Sequence, residues 1–329
     1  MPRVRELEVF RVVLPYGRRV ESLLVKLTDH GGMTGWGELV DPPEAPLEPA
    51  KRLVGMDWEH PDSVPTGHGA VDMACWDLWT RMRGVPLAHA LGGSRTSLVA
   101  TVRLGPDVSP DSLVSRVNQV VCGGYTHVTL DIRPGWDVEP VRAVRQAFPA
   151  LTLAVDGGGA YASETQLVAL DAYGVEVIER PFDVADVRAH ASLQDQVAAA
   201  VAVEVHSTAA LDDYLTLRAA RALRLRPAAF SSLSDARRAH DRVRAAGWDI
   251  VCAGGRGTGL ARAAAVAVAS LPGCTLPCDV TQPPRHAQIV TPAVGATGGV
   301  VAVPYTQPGL GHDIDESRVR RLAKESIRV

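Results

Sequence analysis

From residue 99 onward the sequence alternates short apolar strands with longer amphipathic segments, and this regular alternation most narrows what the chain can fold into. The strands read as Leu98–Leu104, Thr126–Ile132, Leu151–Asp156, Val175–Glu179, Ala200–Val205, Ala222–Leu225, Asp249–Cys252 and a weaker eighth over Leu276–Val280. Helical patterns fall between them over Asp137–Phe148, Ser163–Tyr173, Thr208–Ala219, Ser232–Ala246 and Gly259–Ser270. About eight β/α units in roughly 200 residues is the size of a TIM barrel. A doubly wound open sheet is the rival, but it wants a Gly-rich fingerprint after its first strand, and Leu104-Gly105-Pro106 is not one.

The segment before residue 99 follows another rule. Val4–Phe10 and Leu23–Thr28 alternate at period two, and Asp29-His30-Gly31-Gly32 reads as a turn into a return strand from Thr34. This predicts an antiparallel sheet. Six prolines between 41 and 66 mark a loop-rich connection with at most one short helix near Ala50 to Leu53. Val71, Ala74, Cys75, Leu78 and Met82 then share one helix face, and Gly84 with Pro86 ends it. The tail has a strand over Val300–Val303 and a basic helix over Ser317–Val329, which reads as a solvated face. The expected division is a shortened cap over 1–98, a barrel over 99–299, and a segment over 300–329 that returns to the cap.

Composition removes several function classes. Lys and Arg number 34 against 37 Asp and Glu, a net charge of −3, with no basic run to neutralise many phosphates, so nucleic acid is not expected as a partner. No apolar run approaches the length of a membrane span, and the N-terminal residues do not read as a signal peptide. Aromatics are only 5% of residues, so the core must be Ala, Val and Leu. The five cysteines, an odd number in a large chain, suit reduced thiols in a cytoplasmic protein.

Three strands end in a carboxylate: Asp156, Glu179 and Glu204, spaced 23 and 25 residues apart, one β/α unit each. In a barrel such positions converge on one mouth, where three carboxylates repel unless a cation lies between them. All-oxygen ligation suits Mg²⁺. His206 lies two residues beyond Glu204 and shares its face, which suits a base titrating near neutrality, although a structural histidine is the commoner case. His127 reads as structural. Gly254–Gly259 opens a helix after the seventh strand, where Gly257 and Arg256 could hold an anion; a plain tight turn is the alternative.

The chain resembles the enolase superfamily, in the branch of muconate cycloisomerase, o-succinylbenzoate synthase and N-acylamino acid racemase. The resemblance rests on Thr34-Gly35-Trp36-Gly37-Glu38, on Ala70–Leu78, on Gly84-Val85-Pro86-Leu87 with Leu91-Gly92-Gly93, on Arg133–Asp137, on Ile178-Glu179-Arg180-Pro181 and on Pro308–Gly311. It implies an α/β fold, a modified (β/α) barrel with an α+β capping domain. It also implies Mg²⁺ on Asp156, Glu179 and Glu204, a small carboxylate substrate carried through an enolate, and a homo-oligomer.

The departures are specific. Where the family carries a Lys-x-Lys pair, this chain has Thr129-Leu130-Asp131, and the opposing lysine corresponds to Arg226. Arginine is always protonated, so Arg226 can hold a carboxylate or stabilise an enolate but is a poor base. Asp131 could accept a proton, ligate the metal or pair with Arg226. The asparagine that follows the first ligand is Gly158, and only 31 residues separate Glu38 from Ala70, so the substrate-choosing cap is short. Arg18 of that cap is a candidate substrate contact. One base suits a lyase better than a racemase. The alternatives are a catalytically retired barrel that binds a small acid or a protein partner, and hydrolytic chemistry on a different metal.

Overall fold

The computed structural model describes residues 2–15, 19–40, 52–64, 66–280 and 287–329. Arg18, the prolines at 42, 43, 46, 49 and 65, and the start of the helix expected near Ala50 lie outside them. The chain folds as an antiparallel capping sheet beside a curled parallel sheet, a modified TIM barrel with a capping domain. No helix among the described residues is long and apolar enough to cross a membrane.

β1 (Val4–Pro15), β2 (Arg19–Asp29) and β3 (Thr34–Val40) form the antiparallel meander that their period-two pattern predicts. On β3, alternation divides two tasks. Gly35 and Gly37 face the helix Gly69–Arg83, where an added Cβ would lie 2.3 Å from the Ala74 carbonyl oxygen and 2.0 Å from that of Ala70. The helix therefore rests directly on the strand backbone. Trp36 and Glu38, on the other face, go to the barrel side and are buried.

β4 (Ser97–Val99) pairs antiparallel with a strand from the tail, and β5 (Val102–Leu104) begins the barrel. The single strand expected over Leu98–Leu104 is thus two. The change of partners falls at Ala100 and Thr101, whose N–H groups donate to Gly299 O and Cys278 O. β6 (His127–Asp131), β7 (Thr152–Asp156), β8 (Val177–Glu179), β9 (Ala200–Val203), β10 (Ala222–Leu225) and β11 (Asp249–Cys252) follow in parallel register, each beside its predecessor. Cys278 bridges to Ala100 and Asp279 to Ala253, so the segment near the weak eighth strand joins the two edges of the sheet. Ser109, Asp137, Asp186, Ser232 and Thr258 start the intervening helices by accepting from their first N–H groups. The helix Gly259–Ala269 is buried along its whole length, in keeping with a core of small residues.

In the tail, β12 (Val290–Thr291) pairs with β14 (Asp313–Ile314), and β13 (Val300–Ala302) is the partner of β4. The basic final helix is shorter than expected. It covers Glu316–Leu322, and the following residues form β15 (Ala323–Arg328), antiparallel to β1. The open edge of β1 outweighs local helix propensity, and Arg328 anchors the pairing on Glu6 at 2.6 Å.

Two carboxylates of the cap plug two helix N-termini of the barrel. The buried Glu38 carboxylate accepts from Ser22 Oγ (2.7 Å), Thr258 N (2.8 Å), Thr258 Oγ1 (2.7 Å) and Ala261 N (2.8 Å), at the start of Gly259–Ala269. Asp72 Oδ2 accepts from Leu233 N at 2.7 Å, at the start of Leu233–Ala245. The helix dipole and the open N–H groups favour negative charge at such places, but at Asp72 burial outweighs them. Glu38→Ala strands four donors, and we expect a loss on the order of 3 kcal/mol by urea unfolding; a loss under about 1 kcal/mol would show that water replaces the carboxylate. Burial pushes the Asp72 carboxyl up to about 7. The folded chain then holds a proton that the unfolded chain releases near pH 4, so this group's contribution falls as pH rises from about 4 to 7. Asp72→Asn should flatten the pH dependence of the urea midpoint over that window, and identical profiles for the two proteins would refute the assignment.

Candidate active site

The C-terminal ends of the barrel strands bring together a lattice of acids and guanidinium groups. Arg103 comes from β5, and Asp131, Asp156 and Glu179 end β6, β7 and β8. Glu204 follows β9, Arg224 lies on β10 with Arg226 just beyond it, and Asp279 comes from the bridging segment. Alternation explains the set: the barrel-facing positions at the ends of β5 to β10 are charged, while Leu130, Val155, Ile178, Leu223 and Leu225 beside them face the helices and are buried.

Arg103 touches four acids. Its Nη1 donates to Asp131 Oδ1 at 2.8 Å and to Asp156, its Nη2 to Glu179 Oε2 at 2.8 Å, and its Nε to Asp279 Oδ2 at 3.3 Å. Arg224 touches three: Nε to Glu179 Oε2 at 2.7 Å, Nη1 to Glu204 Oε2 at 3.1 Å, and Nη2 to Asp279 Oδ2 at 2.7 Å. Arg180 takes Asp156 with both Nε (3.1 Å) and Nη2 (2.5 Å). Its backbone has φ 46°, a left-handed conformation that costs a non-glycine residue about 1–2 kcal/mol and is over-represented at functional sites. Arg226 Nη2 lies 2.9 Å from Glu204 Oε1, and His206 Nε2 lies 3.0 Å from the same oxygen and 3.1 Å from Arg226 Nη2.

The charges set one another's protonation. Burial pushes the Asp156 carboxyl up, but Arg103, Arg180 and Arg224 together hold it below its ordinary range. Burial acts likewise on Glu204 and is outweighed by the His206 hydrogen bond and by Arg224, Arg226 and Arg180, leaving it well below that range. Asp279 is held down, against burial, by Arg103 and Arg224. Burial pulls Arg103 down, yet Glu179, Asp279, Asp156 and Asp131 raise it well above its usual value. Arg224 is also raised, by Glu179, Glu204 and Asp279 against burial and Arg103.

This arrangement corrects several expectations. Asp156, Glu179 and Glu204 do share one mouth, but arginine supplies the cations between them. Among the described residues no three His, Cys, Asp or Glu side chains are grouped to hold a metal ion. The Mg²⁺ that the resemblance implies does not fit this donor set, because guanidinium N–H groups already engage the acids. Asp131 pairs with Arg103 rather than Arg226, and Arg226 pairs with Glu204. Thr129 lies outside the charge lattice, its hydroxyl 3.0 Å from that of Thr101 inside the barrel. The loop of Gly257 and Arg256 meets an anion from the chain itself: Glu38 fills the helix N-terminus, an added Cβ on Gly257 would lie 2.8 Å from Glu38 Oε1, and Arg256 is exposed. Arg18 lies outside the described residues.

The sequence reading gives no role to Arg103, Arg224 or Asp279, and Arg180 enters it only within the Ile178-Glu179-Arg180-Pro181 motif. A signal existed: Val102-Arg103-Leu104 and Leu223-Arg224-Leu225 each set a charge between apolar residues within a barrel strand, so the charge must face the interior. Beside the lattice a cavity of about 240 Å³ is lined by Gly158, Gly159, Arg180, Phe182, Glu204 and Tyr214. Arg224→Met should cost about 3–5 kcal/mol by leaving Glu179, Glu204 and Asp279 short of a buried partner, and Arg224→Lys should not restore it, because one ammonium cannot reproduce the fork. Urea unfolding reads both, and a neutral Arg224→Met would overturn the claim that the lattice holds the mouth together.

Comparison with known proteins places the fold and sequence in one group. The family described as "Enolase C-terminal domain-like" matches residues 112–318. An o-succinylbenzoate synthase of Geobacillus kaustophilus is 31% identical over 92% of this chain and 89% of its own length. An N-succinylamino acid racemase of Amycolatopsis sp. is 37% identical over 74% of this chain and 67% of its own. A crystal structure of an enolase superfamily member from Listeria innocua superimposes with a TM-score of 0.90 at 26% identity, covering 100% of this chain and 99% of that one.

Proposed function

The chain belongs to the enolase superfamily, and from that premise we propose that it is an isomerase or lyase acting on a small carboxylate, with His206 moving the proton at the barrel mouth. The observation that carries this reading is the Glu204–His206 contact, with His206 Nε2 3.0 Å from Glu204 Oε1, the oxygen that Arg226 Nη2 also engages at 2.9 Å. One hydrogen on Nε2 serves the carboxylate, which leaves Nδ1 as the basic nitrogen. A carboxylate that fixes the tautomer and balances the imidazolium is the usual support for a histidine base. The His206 side chain is 48% exposed and can meet a ligand, as can Asp131 at 34%.

Arg226 and Arg180 border the same mouth and supply fixed positive charge to a substrate carboxylate or to the negative charge that develops when a proton leaves its α-carbon. With one base in place of two lysines, elimination or transfer on a single face fits better than racemisation, which needs a base on each face. Enolase superfamily enzymes generally use Mg²⁺; here the acids are engaged by arginine instead. That mutual neutralisation, with both lysines replaced, favours a second reading: a barrel without turnover that binds a small acid or a protein partner.

Incubation in D₂O with N-succinylamino acids and other small carboxylates, followed by NMR, separates the two. We expect α-deuterium uptake or elimination, reduced on the order of 10²–10⁴-fold in His206→Gln. Saturable binding of an acid with no exchange or product across the set would instead support the second reading.

A further inference from the structure

We propose that this barrel mouth carries its cation in the polypeptide: the guanidinium groups of Arg103 and Arg224 bridge the carboxylates a divalent metal would need, and the site takes no Mg²⁺. Arg103 joins Asp156 to Glu179, and Arg224 joins Glu179 to Glu204. The expected three ligands are thus linked in sequence by two arginines. Glu179 Oε2, the central oxygen, accepts from both at 2.8 and 2.7 Å. Mg²⁺ needs ligand oxygens at about 2.0–2.1 Å in near-octahedral order. An ion on that oxygen would meet two guanidinium groups within a few ångströms, in a buried site where screening is weak.

The charge count agrees. Three bare carboxylates call for a divalent cation, but here five carboxylates face four guanidinium groups, which leaves a single negative charge before His206 is considered. Adding Mg²⁺ would turn a nearly balanced cluster positive. Neither bridging arginine can discharge, since a guanidinium stays protonated. Nor are they surface groups: the side chain of Arg224 is 6% exposed and that of Arg103 is 19%. The fifth acid, Asp279, accepts from both and ties them to the closing edge of the barrel. The proposal concerns the same mouth as the proton-transfer reading but does not rest on it, and its test uses no turnover.

The full chain titrated with Mn²⁺ should leave the free-ion electron paramagnetic resonance signal undiminished. Mg²⁺ at constant ionic strength should not move the melting midpoint. Mn²⁺ uptake near one ion per chain, displaced by Mg²⁺, or a saturable Mg²⁺-dependent rise in the midpoint on the order of 5 °C, would overturn the proposal. Replacing both bridges, Arg103→Ser with Arg224→Ser, should open the acids to metal: at least tenfold tighter Mn²⁺ binding than wild type, and a melting midpoint that rises with Mg²⁺. A folded double variant with no gain in divalent affinity would equally overturn it. If the double variant does not fold, the two wild-type measurements decide.

Discussion

Five carboxylates that meet at the open end of a parallel barrel must be given positive charge or the strands that carry them cannot stay together. In this chain that charge is covalent. Arg103 reaches from β5 to the ends of β6, β7 and β8 and to Asp279, while Arg224 reaches from β10 to Glu179, Glu204 and Asp279. The two side chains therefore span the mouth from β5 at one edge of the sheet and from β10, next to the other edge. Hydrogen bonds along the strands set the register, but the lattice across the barrel fixes where each acid points. A buried ion pair is weak evidence for extra stability, since well-packed apolar groups often do as well. What it provides here is position: every acid has one arrangement that satisfies its partner.

The same lattice narrows the chemistry. An acid committed to a guanidinium is a poor base, because its proton affinity is depressed, as for Asp156, Glu204 and Asp279. Proton movement is left to the rim, where His206 remains partly exposed. Fixed arginines can still stabilise developing negative charge without reorganising, which is where much of an enzyme's electrostatic effect lies.

Much of the architecture was legible in the sequence. Period-two strands, the helix over Gly69–Arg83 and the β/α alternation after residue 99 are local patterns, and local patterns survive into the fold. The convergence of Asp156, Glu179 and Glu204 could be read from spacing alone, because a barrel brings equivalent strand ends to one place. What occupies the space between them could not. Arg103 lies 76 residues before Glu179, and Arg224 lies 55 before Asp279. Nothing at those distances along the chain says that a guanidinium rather than an ion fills the gap. The Gly254–Gly259 loop shows the same limit: its glycines do signal an anion at a helix N-terminus, but the anion is Glu38, 220 residues away from Thr258. The tail differs for a related reason, since Ala323–Arg328 is a strand only because β1 offers it an edge.

The seating of Glu38 on Thr258 and Ala261 has a consequence for how the molecule is made. β1, β2 and β3 are synthesised before the barrel, yet the Thr258 and Ala261 donors for Glu38 arrive about 220 residues later, and the β1 edge is completed by a strand whose Arg328 lies 322 residues from Glu6. At ribosomal speeds of about 5–20 residues per second, the meander waits on the order of ten seconds or more with a charged acid and a bare sheet edge unsatisfied. During that interval it is an unfinished surface, open to chaperones and to other copies of itself. Contacts of such long sequence separation also slow folding, because the intervening loop must close before it is rewarded. The cap is synthesised ahead of the barrel, but its acid and its edge are completed only by residues that follow the barrel strands.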